Sequence, residues 1–108
     1  MKNTLLLALA LVAAPMLSMA QEVKGDAGAG GKKVAMCIGC HGLPGYQSSF
    51  PQVYKVPKIA GQNAKYIVAA LNGYKSGDRK HPSMRGVAAS LTDQDMADLA
   101  AYYGTETK

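Results

Sequence analysis

The sequence predicts a small all-α domain, and three observations carry that expectation. Two stretches place apolar residues at helical spacing: Tyr66, Ile67, Ala70, Leu71 and Tyr74, then Met96, Leu99, Ala100 and Tyr103. No stretch alternates apolar and polar residues in the manner of a half-buried strand. The third observation is a dense group of metal-binding side chains, Cys37-Ile38-Gly39-Cys40-His41, whose spacing suits one turn of helix.

The N-terminus is read apart from this domain. Met1-Lys2-Asn3 is a short basic start, and an apolar run follows from Thr4 to Ala14. Pro15 breaks the run, and Ser18-Met19-Ala20 offers small residues before a cleavage point. This is the layout of a secretory signal peptide, cleaved after Ala20, which would deliver the protein to the periplasm. Eleven apolar residues are too few to cross a bilayer, which needs about 20. Residues 1–20 are thus expected to be removed, leaving 21–108 as a single domain. That portion keeps 11 of the 12 basic residues and all 7 acidic ones, a net charge of +4. So mild a basicity suits an acidic protein partner or an anionic surface and falls short of a nucleic-acid footprint. With no Trp and one Phe, a domain this small buries little by itself and calls for an additional staple.

Taken in order, the elements follow from local signals. Asp26 can cap a helix from about Ala27 to Met36. Gly28, Gly30 and Gly31 weaken that helix by up to ~1 kcal/mol each relative to alanine. They either admit another helix at close range or leave a frayed first turn. Gly42-Leu43-Pro44-Gly45 is turn chemistry. From Tyr46 to Gly61 no period is sustained, and Pro51 and Pro57 forbid a long helix, so a wrapping loop is expected. The next helix starts at Gln62 or Asn63 and ends at Gly77. Asp78 to Ser90, with Pro82 and Gly86 inside it, reads as loop. Thr92-Asp93-Gln94-Asp95 matches a capping box, Leu91 can staple onto Met96, and Gly104 closes the last helix.

The two cysteines of the chain are the pair in the C-x-x-C-H string, which is the attachment pattern of a c-type haem. On one helical turn Cys37, Cys40 and His41 share a face. Both sulfurs can reach porphyrin vinyl groups as thioethers, and His41 can place an imidazole nitrogen on the iron. Three other readings compete. A redox dithiol expects a strand–helix–strand context, a structural zinc site needs four ligands, and a plain disulfide leaves His41 without a role. Haem also explains the missing core, because a large apolar disc can stand at its centre.

The far axial position has four candidates: Met36, His81, Met84 and Met96. Met36 is tied to the Cys37 side, and Met96 lies on the apolar stripe of a capped helix, where a gap-filling methionine is the default. His81 and Met84 share the expected loop between the last two helices. Met84 is preferred, since a thioether raises the reduction potential and suits an electron carrier. A bis-histidine site through His81 and an iron open to gas ligands are the alternatives.

The residues now in hand resemble a class I cytochrome c, nearest the monohaem domains related to cytochrome c4 and bacterial cytochrome c553. The resemblance runs from Gly25-Asp26-Ala27 through Cys37 to Gly42, Pro57 to Gln62, Tyr66, Leu71, Gly77-Asp78-Arg79 and Met84. It ends with Leu91 to Asp95 and Leu99 to Tyr103. It implies a small class I cytochrome c fold, three to five helices wrapped around one covalently attached haem. Thioethers at Cys37 and Cys40, iron ligands at His41 and Met84, and haem c as the one cofactor are implied with it. So is a backbone carbonyl that accepts the other ring N–H of His41, from Pro51 or Pro57. The stretch from Tyr46 to Val56 is longer than in the shortest domains of this kind.

The expected function is periplasmic transfer of single electrons, by a carrier and not an enzyme. Its partners would be redox proteins with acidic docking surfaces, an oxidase, a bc1-type complex or a dehydrogenase. Lys55, Lys58, Arg79, Lys80 and Arg85 lie in the two loops expected to frame the haem edge and could steer such a partner. A haem-based gas sensor and a dedicated acceptor subunit of a dehydrogenase are the rival functions.

Overall fold

The computed structural model describes residues 22–49 and 53–104. The expected signal peptide and Pro51 lie outside the described residues. Among the described residues five helices and one two-stranded ladder follow in order: α1 Ala27–Gly31, α2 Ala35–His41, β1 Gln47–Ser48, β2 Tyr54–Lys55, α3 Ala64–Ser76, α4 Pro82–Ala89 and α5 Asp93–Tyr103. Among the described residues no helix is long and apolar enough to cross a membrane.

The core gathers Ile67 and Leu71 of α3 with Leu91, Met96, Leu99 and Ala100 at and within α5. Local signals explain why these elements meet. In α3, the Asn63 side chain accepts from the Tyr66 N–H, and Gly77 ends the helix at φ 91°, a left-handed turn that glycine adopts freely. In α5 the capping box is complete: Thr92 accepts from the Asp95 N–H, and the Asp95 carboxylate accepts from the Thr92 N–H. Leu91 and Met96 both enter the core, so the expected staple is in place.

α1 crosses α5 at backbone range. A Cβ on Gly30 would stand 2.0 Å from the Asp98 carbonyl oxygen, and one on Gly25 would stand 2.0 Å from that of Ala97. Of the two readings of the early glycines, close approach is the correct one. A carboxylate fastens the crossing. Asp98, only 2% exposed, accepts from the Asp26 N–H at 2.8 Å, Gln94 Nε2 at 2.8 Å and Lys33 Nζ at 2.6 Å. Lys33 also reaches Asp95 at 2.8 Å.

Three expectations need correction. The single helix from Ala27 to Met36 is two helices, because the glycine-rich first segment stops at Gly31 and the chain turns through residues 32–34 before α2. The segment from Asp78 to Ser90 is not all loop. Pro82 sits at the first turn of α4, where its missing N–H costs nothing and its fixed φ favours the helix. The wrapping loop from Tyr46 to Gly61 carries the short antiparallel ladder, with Gln47 opposite Lys55 and Ser48 opposite Tyr54.

Candidate haem site

The C-x-x-C-H residues occupy α2, so the helical turn expected of them is present. α2 buries none of its seven residues, although Met36 and Ile38 are large apolar side chains about half exposed. A helix with this composition and so little protein cover fits a helix built to lie against a large apolar group. Cys37 is half-buried and packs against the core, as do Val34, Ala64, Val68, Met84 and Tyr103, and Cys40 is exposed. Cys37 and Met84 thus border the same core cluster, one from α2 and one from α4.

His41 ends α2, and its Nδ1 lies 2.7 Å from the carbonyl oxygen of Pro57. A carbonyl only accepts, so Nδ1 carries the proton and Nε2 keeps its lone pair. Second-ring partners of this kind fix the tautomer and aim of a metal-bound imidazole. Pro57 is one of the two acceptors left open above.

The rival readings of the motif fare worse. Cys37 and Cys40 are not joined in a disulfide. Burial pushes the Cys37 thiol up, opposite to the lowered thiol of a redox dithiol. A group of three or more His, Cys, Asp or Glu side chains able to hold a metal is absent among the described residues. The residues present fit haem.

Other site residues stand as follows. Met84 lies in the first turn of α4, half-buried, not in a loop. Met96 is fully buried in the core, and Met36 is on α2. His81 caps α4 and is half-buried, its ring edge-on to Tyr54 at 4.8 Å. Arg79 is exposed and keeps its charge, but its side chain is held in place. It donates to the hydroxyls of Tyr66 and Tyr74 at 3.3 Å each and stacks 4.8 Å over the Tyr74 ring. Lys55, Lys58, Lys80 and Arg85 are exposed. A groove of 1170 Å³ between residues 22–27, α3 and α5 is lined by none of the motif residues.

Comparison with known proteins agrees with this geometry. The family described as Cytochrome c matches residues 28–105. The chain belongs to the cytochrome c family. Its cofactor is covalently bound haem c. The chain is similar to cytochrome c4 of Pseudomonas aeruginosa, 42% identical over 82 residues that cover 76% of this chain and 39% of that one. It is also similar to cytochrome c-554(548) of Halomonas halodenitrificans, 38% identical over 85 residues, 76% of this chain and 98% of that one. Among solved structures, reduced recombinant cytochrome c4 from Pseudomonas stutzeri superposes with a TM-score of 0.59 at 39% identity. The match covers 75% of this chain and 47% of that one. The chain thus spans about two fifths of the length of the cytochrome c4 relative it matches.

Proposed function

We propose that the protein is a periplasmic carrier of single electrons, exported by residues 1–20 and working as the single domain 21–108. In this reading Cys37 and Cys40 hold haem c as thioethers, and His41 and Met84 are the two iron ligands. The observation that carries it is the His41 hydrogen bond to Pro57. That bond presents Nε2 as a ligand on the helix of both cysteines, while Met84 borders the same core cluster as Cys37.

Bound haem supplies a reversible one-electron couple at its iron. The residues decide what that couple is used for. Met84 offers a neutral sulfur with no proton to gain or lose, and it favours the reduced state. His41 is held in one tautomer by Pro57, so neither ligand needs to change protonation when an electron arrives or leaves. Two protein ligands also close the iron to small molecules, which sets this reading against a gas sensor. Exposed Lys55, Lys58, Lys80 and Arg85 would draw an acidic redox partner, an oxidase, a bc1-type complex or a dehydrogenase.

The test is spectroscopic. The oxidised holoprotein should show the weak sulfur-to-iron charge-transfer band, and its reduced form should bind carbon monoxide poorly. Met84→Ala should abolish the band, lower the potential and open the site to carbon monoxide. An unchanged spectrum in Met84→Ala would refute the ligand assignment.

A further inference from the structure

α4 carries Met84, yet little of its own chemistry holds it in place. Of its eight residues one, Ala88, is buried by protein. Its N-cap His81 makes no side-chain cap bond, its first turn holds no acid and its last turn no base. Among the described helices it packs closely on α3 alone. The end of α3 supplies what α4 lacks. Lys75, in the last turn of α3, donates from Nζ to the Leu91 carbonyl at 2.5 Å. Leu91 is buried, follows the Ser90 cap of α4, and bonds its own N–H to the Ala88 carbonyl. The ammonium therefore stands at the negative end of the α4 dipole, where a cation is favoured. Two residues after Lys75, Gly77 backs onto Arg85, the neighbour of Met84: a Cβ on Gly77 would stand 3.7 Å from that guanidinium.

We infer that Lys75 is a positioning residue for the far iron ligand: its bond to Leu91 keeps the end of α4 on α3 and so holds the Met84 sulfur on the iron. The inference rests on the proposed ligation by Met84. A helix of eight residues is barely two turns and moves as one body. If its end is free to swing from α3, its first turn, with Met84, shifts as well. A thioether is neutral, so no charge draws it back to the metal, and its aim decides how firmly it binds. Lys75 is exposed and its partner is a backbone carbonyl. Water can take that carbonyl when the ammonium is removed, so the fold survives while the hold on α4 is released. Lys65 offers the contrast. It is exposed on the same helix and lines the groove toward residues 22–27 and α5, away from α4.

The experiment titrates imidazole into the oxidised holoprotein and follows loss of the sulfur-to-iron band, with far-ultraviolet circular dichroism recorded on the same samples. Lys75→Gln, too short to reach Leu91, should take up imidazole about two- to tenfold more tightly than the parent, the range of one net hydrogen bond. Its helix content should be unchanged. Lys75→Arg, which keeps the reach and the charge, should bind as the parent does. Lys65→Gln removes the same charge from α3 and should also bind as the parent does. If Lys75→Gln does not fold, Lys75→Leu, which keeps an apolar stem and loses the donor, decides in its place. Unchanged imidazole binding without the Lys75 donor overturns the inference. So does an equal gain in Lys65→Gln, which would make the effect one of net charge. The band itself separates the two failures. A normal band in the unsubstituted protein with unmoved imidazole binding removes this inference alone, whereas its absence there removes the Met84 ligation.

Discussion

α5 and α2 are both short helices, yet α5 buries five of its eleven residues and α2 buries none of its seven. α5 is closed by protein on every side that matters. Its first turn is capped, its apolar stripe fills the core, and its one buried carboxylate has three donors. α2 has no side-chain cap hydrogen bond, and its large apolar residues stand at the surface. One half of the molecule is held by its own side chains, and the other is arranged for a partner that is not protein. A small domain divides the labour in this way when its chain alone cannot enclose a core.

The largest expected effect follows directly. Replacing both cysteines, Cys37→Ala with Cys40→Ala, should abolish covalent haem retention under acidified organic extraction. Hydrogen exchange should then show protection lost in α2 and in residues 53–57 while α3 and α5 keep theirs. Uniform loss of protection throughout the chain would mean that the halves are not separable, and the contrast between them would fail.

Glycine substitutions sharpen the same contrast. Gly30→Ala drives a methyl group into the Asp98 carbonyl at 2.0 Å, so the α1–α5 crossing must open, at about 1–3 kcal/mol. Gly39→Ala, inside α2, meets nothing within 4 Å. It should be neutral or stabilising by up to about 1 kcal/mol, the gain of alanine over glycine in a helix. Denaturant melts of the two holoproteins compare them. Equal losses would show that α2 is as closely packed as α5.

The same division governs what the sequence disclosed. α5 was legible because its signals are local: the capping box spans four residues, and the apolar stripe repeats within three turns. The haem-attachment string was legible for the same reason, since one helical turn holds all of its chemistry. The crossing that locks α1 to α5 was not, because Asp98 finds Lys33 and Asp26 at separations of 65 and 72 residues. A charged residue inside a helix gives no sign of partners so remote. α4 was missed for a different reason. Inside a polar stretch Pro82 reads as a breaker, although at a first turn it is a starter. The choice between Pro51 and Pro57 depended on where the loop passes His41, which periodicity does not encode.

The smallest effect concerns acid. Lys33, followed by the backbone N–H and the hydroxyl of Thr92, holds the Asp95 carboxyl down to about 2. Lys33, then the Asp26 N–H and Gln94, lowers Asp98 as well. Both carboxyls bind protons less readily when folded than when unfolded, where an aspartate titrates near 3.9. The stabilisation from Asp95 is therefore present above about pH 4 and drains away as pH falls toward about 2, and that from Asp98 is lost in the same direction. Thr92→Ala removes one side of the capping box and should cost about 1 kcal/mol at neutral pH. It also removes the Thr92 hydroxyl as a donor to the Asp95 carboxyl, so Asp95 should titrate closer to its unfolded value. The variant should then lose less stability than the parent between pH 4 and pH 2, and the two acid limbs should converge. Parallel limbs would show that Lys33 alone sets the acid response, and that the cap and the α1–α5 lock act independently.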